Sequence, residues 1–218
     1  RVDAQRLKID EHLQPIYERL EPTGKFDQRN PNISRNPIAP SISTGWVWQV
    51  DDQRMIKFNL GSGIRFPTPI ELASNGIHHG NFRHERGNST LTTERSWQAD
   101  LGFSQEWKAF SVAISPFISI YRDFIYLAPS GRFSPLPGSS MLWEYRQDNA
   151  IFAGGEIQLS YLSPWNLRTT LSGEYVWNQN TENQLPLPLT PPASILASLD
   201  YSLPEFSSVF RGLSMGMD

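Results

Sequence analysis

The sequence predicts an all-β chain, an antiparallel up-and-down segment of a transmembrane β-barrel contributing about nine strands to a larger wall. Three observations predict it. Apolar residues recur with a period of two rather than 3.6. Tight turns alternate with long connections rich in Pro, Gly, Asn and Ser. Aromatic residues are 12% of the 218 residues, with seven Trp, and several fall near the ends of alternating stretches.

The alternation places strands over 1–9, 41–50, 54–64, 95–106, 109–127, 145–162, 166–178, 193–203 and 206–217. Trp46, Trp48 and Val50 oppose Val47 and Gln49, and Ile56, Phe58 and Leu60 oppose Lys57 and Asn59. Trp97, Ala99, Leu101 and Phe103 oppose Gln98, Asp100, Gly102 and Ser104. The clearest stretch runs from Phe110 to Ile120: Phe110, Val112, Ile114, Ile118 and Ile120 share a face, with Ser111, Ala113, Ser115 and Ser119 on the other. Phe117 interrupts it. Ile157, Leu159 and Tyr161 oppose Glu156, Gln158 and Ser160, and Leu167, Thr169, Leu171, Tyr175 and Trp177 oppose Arg168, Thr170, Ser172 and Glu174. Ile195, Ala197, Leu199 and Tyr201 oppose Ser198, Asp200 and Ser202. The last strand has ambiguous parity, because Phe206 and Phe210 compete with Val209, Leu213 and Met215. The stretch near 10–20 has some helical character, which Pro15 opposes.

Asp51-Asp52-Gln53, Glu106-Trp107-Lys108, Ser163-Pro164-Trp165 and Pro204-Glu205 read as tight turns. The stretches 10–40, 65–94, 128–144 and 179–192 read as long loops. Short turns at one end and long loops at the other are the periplasmic and extracellular pattern of outer-membrane barrels. Tyr126, Trp165, Trp177 and Tyr201 sit near strand ends, where an interfacial girdle would lie, although core packing explains each one equally well.

Composition narrows the function. A net charge of −3 lacks the basic stripe of a nucleic-acid binder. The absence of Cys excludes disulfides and thiolate metal sites. Mean hydropathy is −0.41, which alone reads as soluble. A membrane strand needs only about 9–11 residues with every second one apolar, so the average conceals it. No P-loop, GxSxG or HExxH motif is present, so no enzyme and no catalytic residue is expected.

Local motifs add a resemblance. Gly63-Ile64-Arg65-Phe66-Pro67 is followed by Glu71-Leu72. Gly87-Asn88-Ser89-Thr90-Leu91-Thr92-Thr93-Glu94-Arg95-Ser96 leads into a strand, with Ser89 where a Pro is common. Asp123-Phe124-Ile125-Tyr126-Leu127, then Ala150, Gly154 and Glu156, then Leu187-Pro188-Leu189-Thr190-Pro191-Pro192 complete an ordered series. Taken together these resemble the barrel of TonB-dependent outer-membrane receptors, over nearly the whole chain from Val2. The resemblance implies that 1–218 is part of the barrel domain of such a receptor, without its plug, energy-coupling box, early strands and last strands. It implies a bacterial outer-membrane location.

Physical reasoning assigns roles within those motifs. Arg65, where strand meets loop, can bind carboxylates bidentately and pin the loop to the barrel wall. Glu94 and Glu156 fall on the lumen face by parity, since a carboxylate facing lipid is costly. Glu71 completes the set of loop and lumen anchors.

His78, His79 and His84 fall within seven residues, beside Glu85. Imidazole with carboxylate is a ligand set for zinc, copper, nickel or iron. The same residues also read as a polar, structured loop with a surface His pair. Adjacent His78 and His79 share one ion only in a turn. Glu71, Leu72, Gly76, His78, Glu85, Gly87 and Asn88 together resemble the receptor subgroup that includes zinc-uptake receptors.

The function expected is active uptake of a scarce nutrient, a metal ion or a metal chelate such as a siderophore or haem. No resident cofactor is expected, and zinc or iron would be cargo. The partners implied are the TonB energy-coupling complex acting through a plug, outer-membrane lipid and the nutrient, with no nucleic acid. A passive channel or adhesin on the same barrel, and a soluble all-β binding domain, are the rival readings.

Overall fold

Branched and aromatic residues alternating with small polar ones suit a pleated sheet that is apolar on one face and polar on the other, and the chain adopts one. The computed structural model describes residues 2–4, 7–9, 33–78, 80–202 and 214–217. Two short pairings come first: β1 (Val2–Ala4) lies antiparallel to β4 (Ile38–Pro40), and β2 (Leu7–Ile9) to β3 (Ile33–Arg35). The expected single strand over 1–9 is therefore two three-residue pieces outside the main sheet. Any helix at 10–20 lies outside the described residues.

The main sheet holds ten strands among the described residues. Eight form the wall, each antiparallel to the next: β5 (Ser43–Asp51), β6 (Arg54–Arg65), β9 (Glu94–Glu106), β10 (Phe110–Phe133), β11 (Met141–Leu162), β12 (Leu167–Asn180), β13 (Ser194–Ser202) and β14 (Ser214–Met217). The other two, β7 (Asn75–His78) and β8 (Arg83–Arg86), belong to the β6–β9 connection, together with the helix α1 (Pro69–Ala73).

Connections at 52–53, 107–109 and 163–166 are short; those at 66–93 and 181–193 are long and lie at the opposite end. The expected turn at Pro204-Glu205 lies outside the described residues. The stretch 128–144 is not a loop. The β10–β11 ladder continues past Leu127 through Pro129 opposite Trp143 to Phe133 opposite Met141, leaving only 134–140 as the tip. Pro129 is accommodated beside a register shift, where a missing N–H does least harm. Strands of 24 and 22 residues exceed what a membrane needs, so this hairpin projects beyond its neighbours.

Register fixes the faces. Phe58 pairs with Leu101, Ala99 with Ile118, Ile114 with Ile157 and Leu159 with Leu171, and these residues form a continuous apolar face. Much of it is exposed, including Trp46 (74%), Trp97 (48%), Ile120 (52%) and Ile195 (80%). A soluble protein rarely leaves so large an apolar surface open. The opposite face is polar: Asn59 meets Asp100, Ser111 meets Ser160, and Gln158 meets Ser172. In the last strand Met215 is paired in register with Tyr201 and Met217 with Leu199, while Phe206, Val209, Phe210 and Leu213 lie outside the described residues.

Phe117 breaks the alternation because it packs over a glycine. A Cβ on its partner Gly154 would stand 3.1 Å from the Phe117 ring. The bare Gly154 backbone makes room for the ring on the polar face. Between Tyr121 and Phe124 the register shifts, with Asp123 in the left-handed region at φ 59°. The shift reverses parity beyond it. Tyr126 therefore turns to the polar face, its hydroxyl donating to Asp148, and is no girdle residue. Trp165, Trp177 and Tyr201 remain exposed.

Candidate functional site: the loop cluster at the long-loop end

The 66–93 connection folds into a small structure of its own. Thr68 caps α1: its hydroxyl accepts from the Glu71 N–H, and Glu71 Oε2 accepts from the Thr68 N–H at 2.8 Å. Pro69 suits the first helical turn. Leu72 and Ala73 face inward and pack with Leu91, Ile125 and Ile33, with Tyr145 alongside. Gly87 lies against α1, where a Cβ would meet the Ala73 nitrogen at 2.6 Å. The Gly87 and Asn88 N–H groups donate to the Ser74 and Glu71 carbonyls, both at 2.7 Å.

Arg65, the last residue of β6, ties this structure to the wall. Its Nη1 donates to both Glu71 oxygens at 2.8 and 2.9 Å. Its Nε and Nη2 donate to Glu94 at 3.2 and 2.8 Å, and Nη2 also reaches the Ile125 carbonyl at 3.3 Å. All five guanidinium N–H groups are thereby engaged. Glu94 Oε2 accepts in turn from the Ile125 N–H at 2.8 Å. Strand end, helix, next strand and projecting hairpin thus meet on one arginine.

Beyond α1, β7 and β8 form a hairpin, and β8 runs parallel to β11, with His84 opposite Leu142 and Arg86 opposite Glu144. It occupies the β11 edge opposite β10, above the point where β12 stops. Arg86 and Arg132 both bond Glu144, and Arg83 lies 4.6 Å from the Trp143 ring centre. Thr92 N–H donates to Gln147 Oε1 at 2.8 Å, and Gln147 Nε2 returns a bond to the Thr92 carbonyl at 2.9 Å. From the N-terminal side, Arg35 donates to the Ser89 and Leu91 carbonyls.

The histidines separate. In the β7–β8 ladder His78 pairs with Arg83 and Ile77 with His84, so the pleat puts His78 and His84 on opposite faces. His84 is buried, with Nδ1 2.9 Å from Ser134 Oγ and Nε2 2.9 Å from Asn75 Oδ1. Both ring nitrogens are occupied. The exposed His78 accepts from the Gly80 N–H through Nδ1 at 3.3 Å. Glu85 lies 3.4 Å from Arg83. His79 lies outside the described residues. Among the described residues no three His, Asp or Glu side chains gather as a metal group. Glu156 is on the polar face, directly opposite Glu174, whose Oε1 accepts from Ser194 Oγ at 2.8 Å.

Burial, and then the charge of Arg86, hold the His84 imidazole below its ordinary pKa near 6.5. The Asn75 carbonyl and Ser134 hydroxyl suit the neutral ring with its proton on Nε2. The sign follows. A depressed imidazole pKa means that the unfolded loop binds the proton more readily, so the stabilisation is complete above about 6.5 and falls away at lower pH. We expect the protection of amides in 75–86, taken relative to their intrinsic exchange rates, to fall between pH 7.5 and 5.5, and that fall to vanish in His84→Gln. Identical protection in this segment at both pH values would show that His84 does not couple the loop to pH.

Several of these partners carry no sequence signal. Asn75, Ser134 and Gln147 are ordinary loop and strand residues until the hairpin projects. Tyr126, Asp148 and the buried Asn180 form a half-buried polar knot, with Asn180 Nδ2 donating to Asp148 Oδ2 at 2.8 Å. Tyr121, Phe124 and Phe152 cluster beside it with ring centres 4.9–5.2 Å apart. Only the recurring aromatics of 121–126 hinted at it.

The TonB-dependent receptor-like β-barrel family matches residues 18–216. The chain belongs to this family. Haemoglobin-haptoglobin utilization protein B of Neisseria meningitidis is 26% identical, over 76% of this chain and 23% of that protein. Copper transporter OprC superposes with a TM-score of 0.64 at 25% identity, over 78% of this chain and 25% of that one. The siderophore receptor PirA from Acinetobacter baumannii has the same fold, with a TM-score of 0.54 at 18% identity over 79% of this chain and 27% of that one. This TonB-dependent receptor barrel segment spans about a quarter of the length of the relatives it matches. Those relatives are transport receptors of the outer membrane rather than enzymes.

Proposed function

We propose that the chain forms wall strands and outer loops of an outer-membrane receptor that takes up a metal ion or metal chelate, siderophore or haem, by energy-coupled transport. The observation that carries this reading is a sheet with one apolar and one polar face, capped at its long-loop end by an ordered loop structure pinned through Arg65. Such a wall suits lipid on one side and water on the other. Dimensions support the same reading. From Ala153, which faces Trp177, to Tyr161 is eight residues, about 27 Å along the strand and about 20 Å along the membrane normal at a tilt of ~40°.

The bound nutrient would sit among the outer loops, with the coupling protein acting from the periplasm on a plug contributed by the rest of the receptor. The names of the relatives favour copper, ferric siderophores or haem-protein iron as cargo. Zinc stays in the set through the Glu71 to Asn88 stretch. Any ion carried by His78, His79, His84 and Glu85 would need the hairpin to rearrange, because His84 is already bonded on both nitrogens.

The test is uptake by cells that carry or lack the receptor, using labelled copper, zinc, a ferric siderophore or haem as sole source. One of these should enter only with the receptor present, and entry should stop when a protonophore collapses the energised inner membrane. Entry that persists unchanged after collapse would mean a passive channel.

A further inference from the structure

Arg95 and Arg122 stand directly opposite each other in the β9–β10 ladder. They lie at the long-loop edge of the apolar face, one pleat above the pair formed by Trp97 and Ile120. Ile64 flanks Arg95 on its other side. Both arginines are exposed. Like charges directly across a ladder are destabilising. Asp123 offers Arg122 little relief at 3.8 Å, with the two side chains 72% and 46% exposed. The Arg95 side chain has no ion pair or hydrogen bond among the described residues. Two guanidinium groups held side by side match the oxygens of one phosphate. Below them a groove of about 460 Å³ is lined largely by apolar side chains, including Ile42, Leu60, Trp97, Ala99, Ile118 and Ile120.

We propose that this arginine pair binds the phosphorylated headgroup of an outer-leaflet lipid, with an acyl chain of the same molecule in the groove beneath. Charge and shape both select that occupant. The anion is recognised at the rim, the chain is buried where the face turns apolar, and the opposed cations lose their repulsion when the phosphate arrives. The proposal rests on the reading of the apolar face as lipid-facing.

The test uses the whole receptor, purified and delipidated in detergent. Melting is followed in micelles doped with diphosphorylated lipid A, with the same lipid after phosphatase treatment, or with 10 mM inorganic phosphate alone. The phosphorylated lipid should raise Tm by several degrees, and the other two should not. Arg95→Gln with Arg122→Gln should abolish the shift and weaken lipid retention by about tenfold or more per arginine. The Arg→Lys pair, which keeps charge but loses the bidentate fork, should retain part of it. The Gln pair relieves like-charge repulsion, so it should fold, and its recovery in the detergent-requiring membrane fraction checks that. An equal shift in wild type and Gln pair overturns the proposal, and so does an equal shift with inorganic phosphate alone. If wild-type receptor leaves membranes without detergent, the barrel reading itself has failed, a result distinct from either.

Discussion

Replacing Arg65 with Met should release the 66–93 loop structure from the wall. The oxygens of Glu71 and Glu94 and the Ile125 carbonyl lose five N–H donors at once, and the two carboxylates are left facing a gap. Their side chains are only 13% and 8% exposed, so water replaces the guanidinium poorly. Removing one member of a buried ion pair costs about 3–5 kcal/mol. Arg65 itself is 38% exposed, and screening brings the expected loss to roughly 2–3 kcal/mol. The loss is local, because β6 and β9 keep their ladder. Amides of 66–93 should exchange at least tenfold faster while those of 54–64 hold. Arg65→Lys should fall between, since one ammonium cannot fork to two carboxylates. Unchanged exchange over 66–93 in the Met variant would show that Arg65 is not the tie.

Gly154→Val should damage the wall itself. A Cβ at 154 would stand 2.3 Å from the Tyr175 carbonyl oxygen and 3.1 Å from both the Phe117 ring and Val176 Cα. The first contact is with backbone in the adjacent strand, so no side-chain rotation relieves it. The β11–β12 pair must separate locally. Overpacking alone costs about 1–3 kcal/mol, and the lost ladder bonds bring the total to roughly 3 kcal/mol or more. The receptor should melt many degrees lower, or reach the membrane in reduced yield. Adding Phe117→Ala should rescue only part of the loss, because it clears the ring and leaves the Tyr175 oxygen. A Gly154→Val receptor with wild-type yield and Tm would contradict the close strand approach at this point.

These two residues mark where the sequence is legible and where it is not. Period-two alternation reveals the wall because each strand is polar on one face and apolar on the other. Strand ends from Arg54 to Ser202 therefore fall within a few residues of expectation, except in the β10–β11 hairpin. There the polar composition of 128–144 resembles a loop, yet the ladder continues through Pro129 and Trp143. Composition reports solvent exposure, and a hairpin that projects into water is as polar as a loop. Phe117 looks like an error of pattern until Gly154 is seen opposite. Tyr126 looks like a girdle residue until the shift at Asp123 reverses its side. Both depend on a partner strand, which local sequence does not name. The Arg65 tie was foreseeable from chemistry at a strand end. The His84 bonds were not: Ser134 is 50 residues away in sequence, and Asn75, nine residues away, comes within reach only through the β7–β8 pairing.

The central claim is that the apolar face of this sheet meets lipid and the polar face meets water. The chain has no Cys, so labels can be introduced singly without background from it. Spin labels placed one at a time at 111–115 and 118–120 in the membrane-embedded receptor can be scored against oxygen, which favours lipid, and a water-soluble nickel chelate. Positions 112, 114, 118 and 120 should favour oxygen, and 111, 113, 115 and 119 should favour the chelate, with a period of two. Uniform access to the chelate at every position, or the opposite phase, would contradict it.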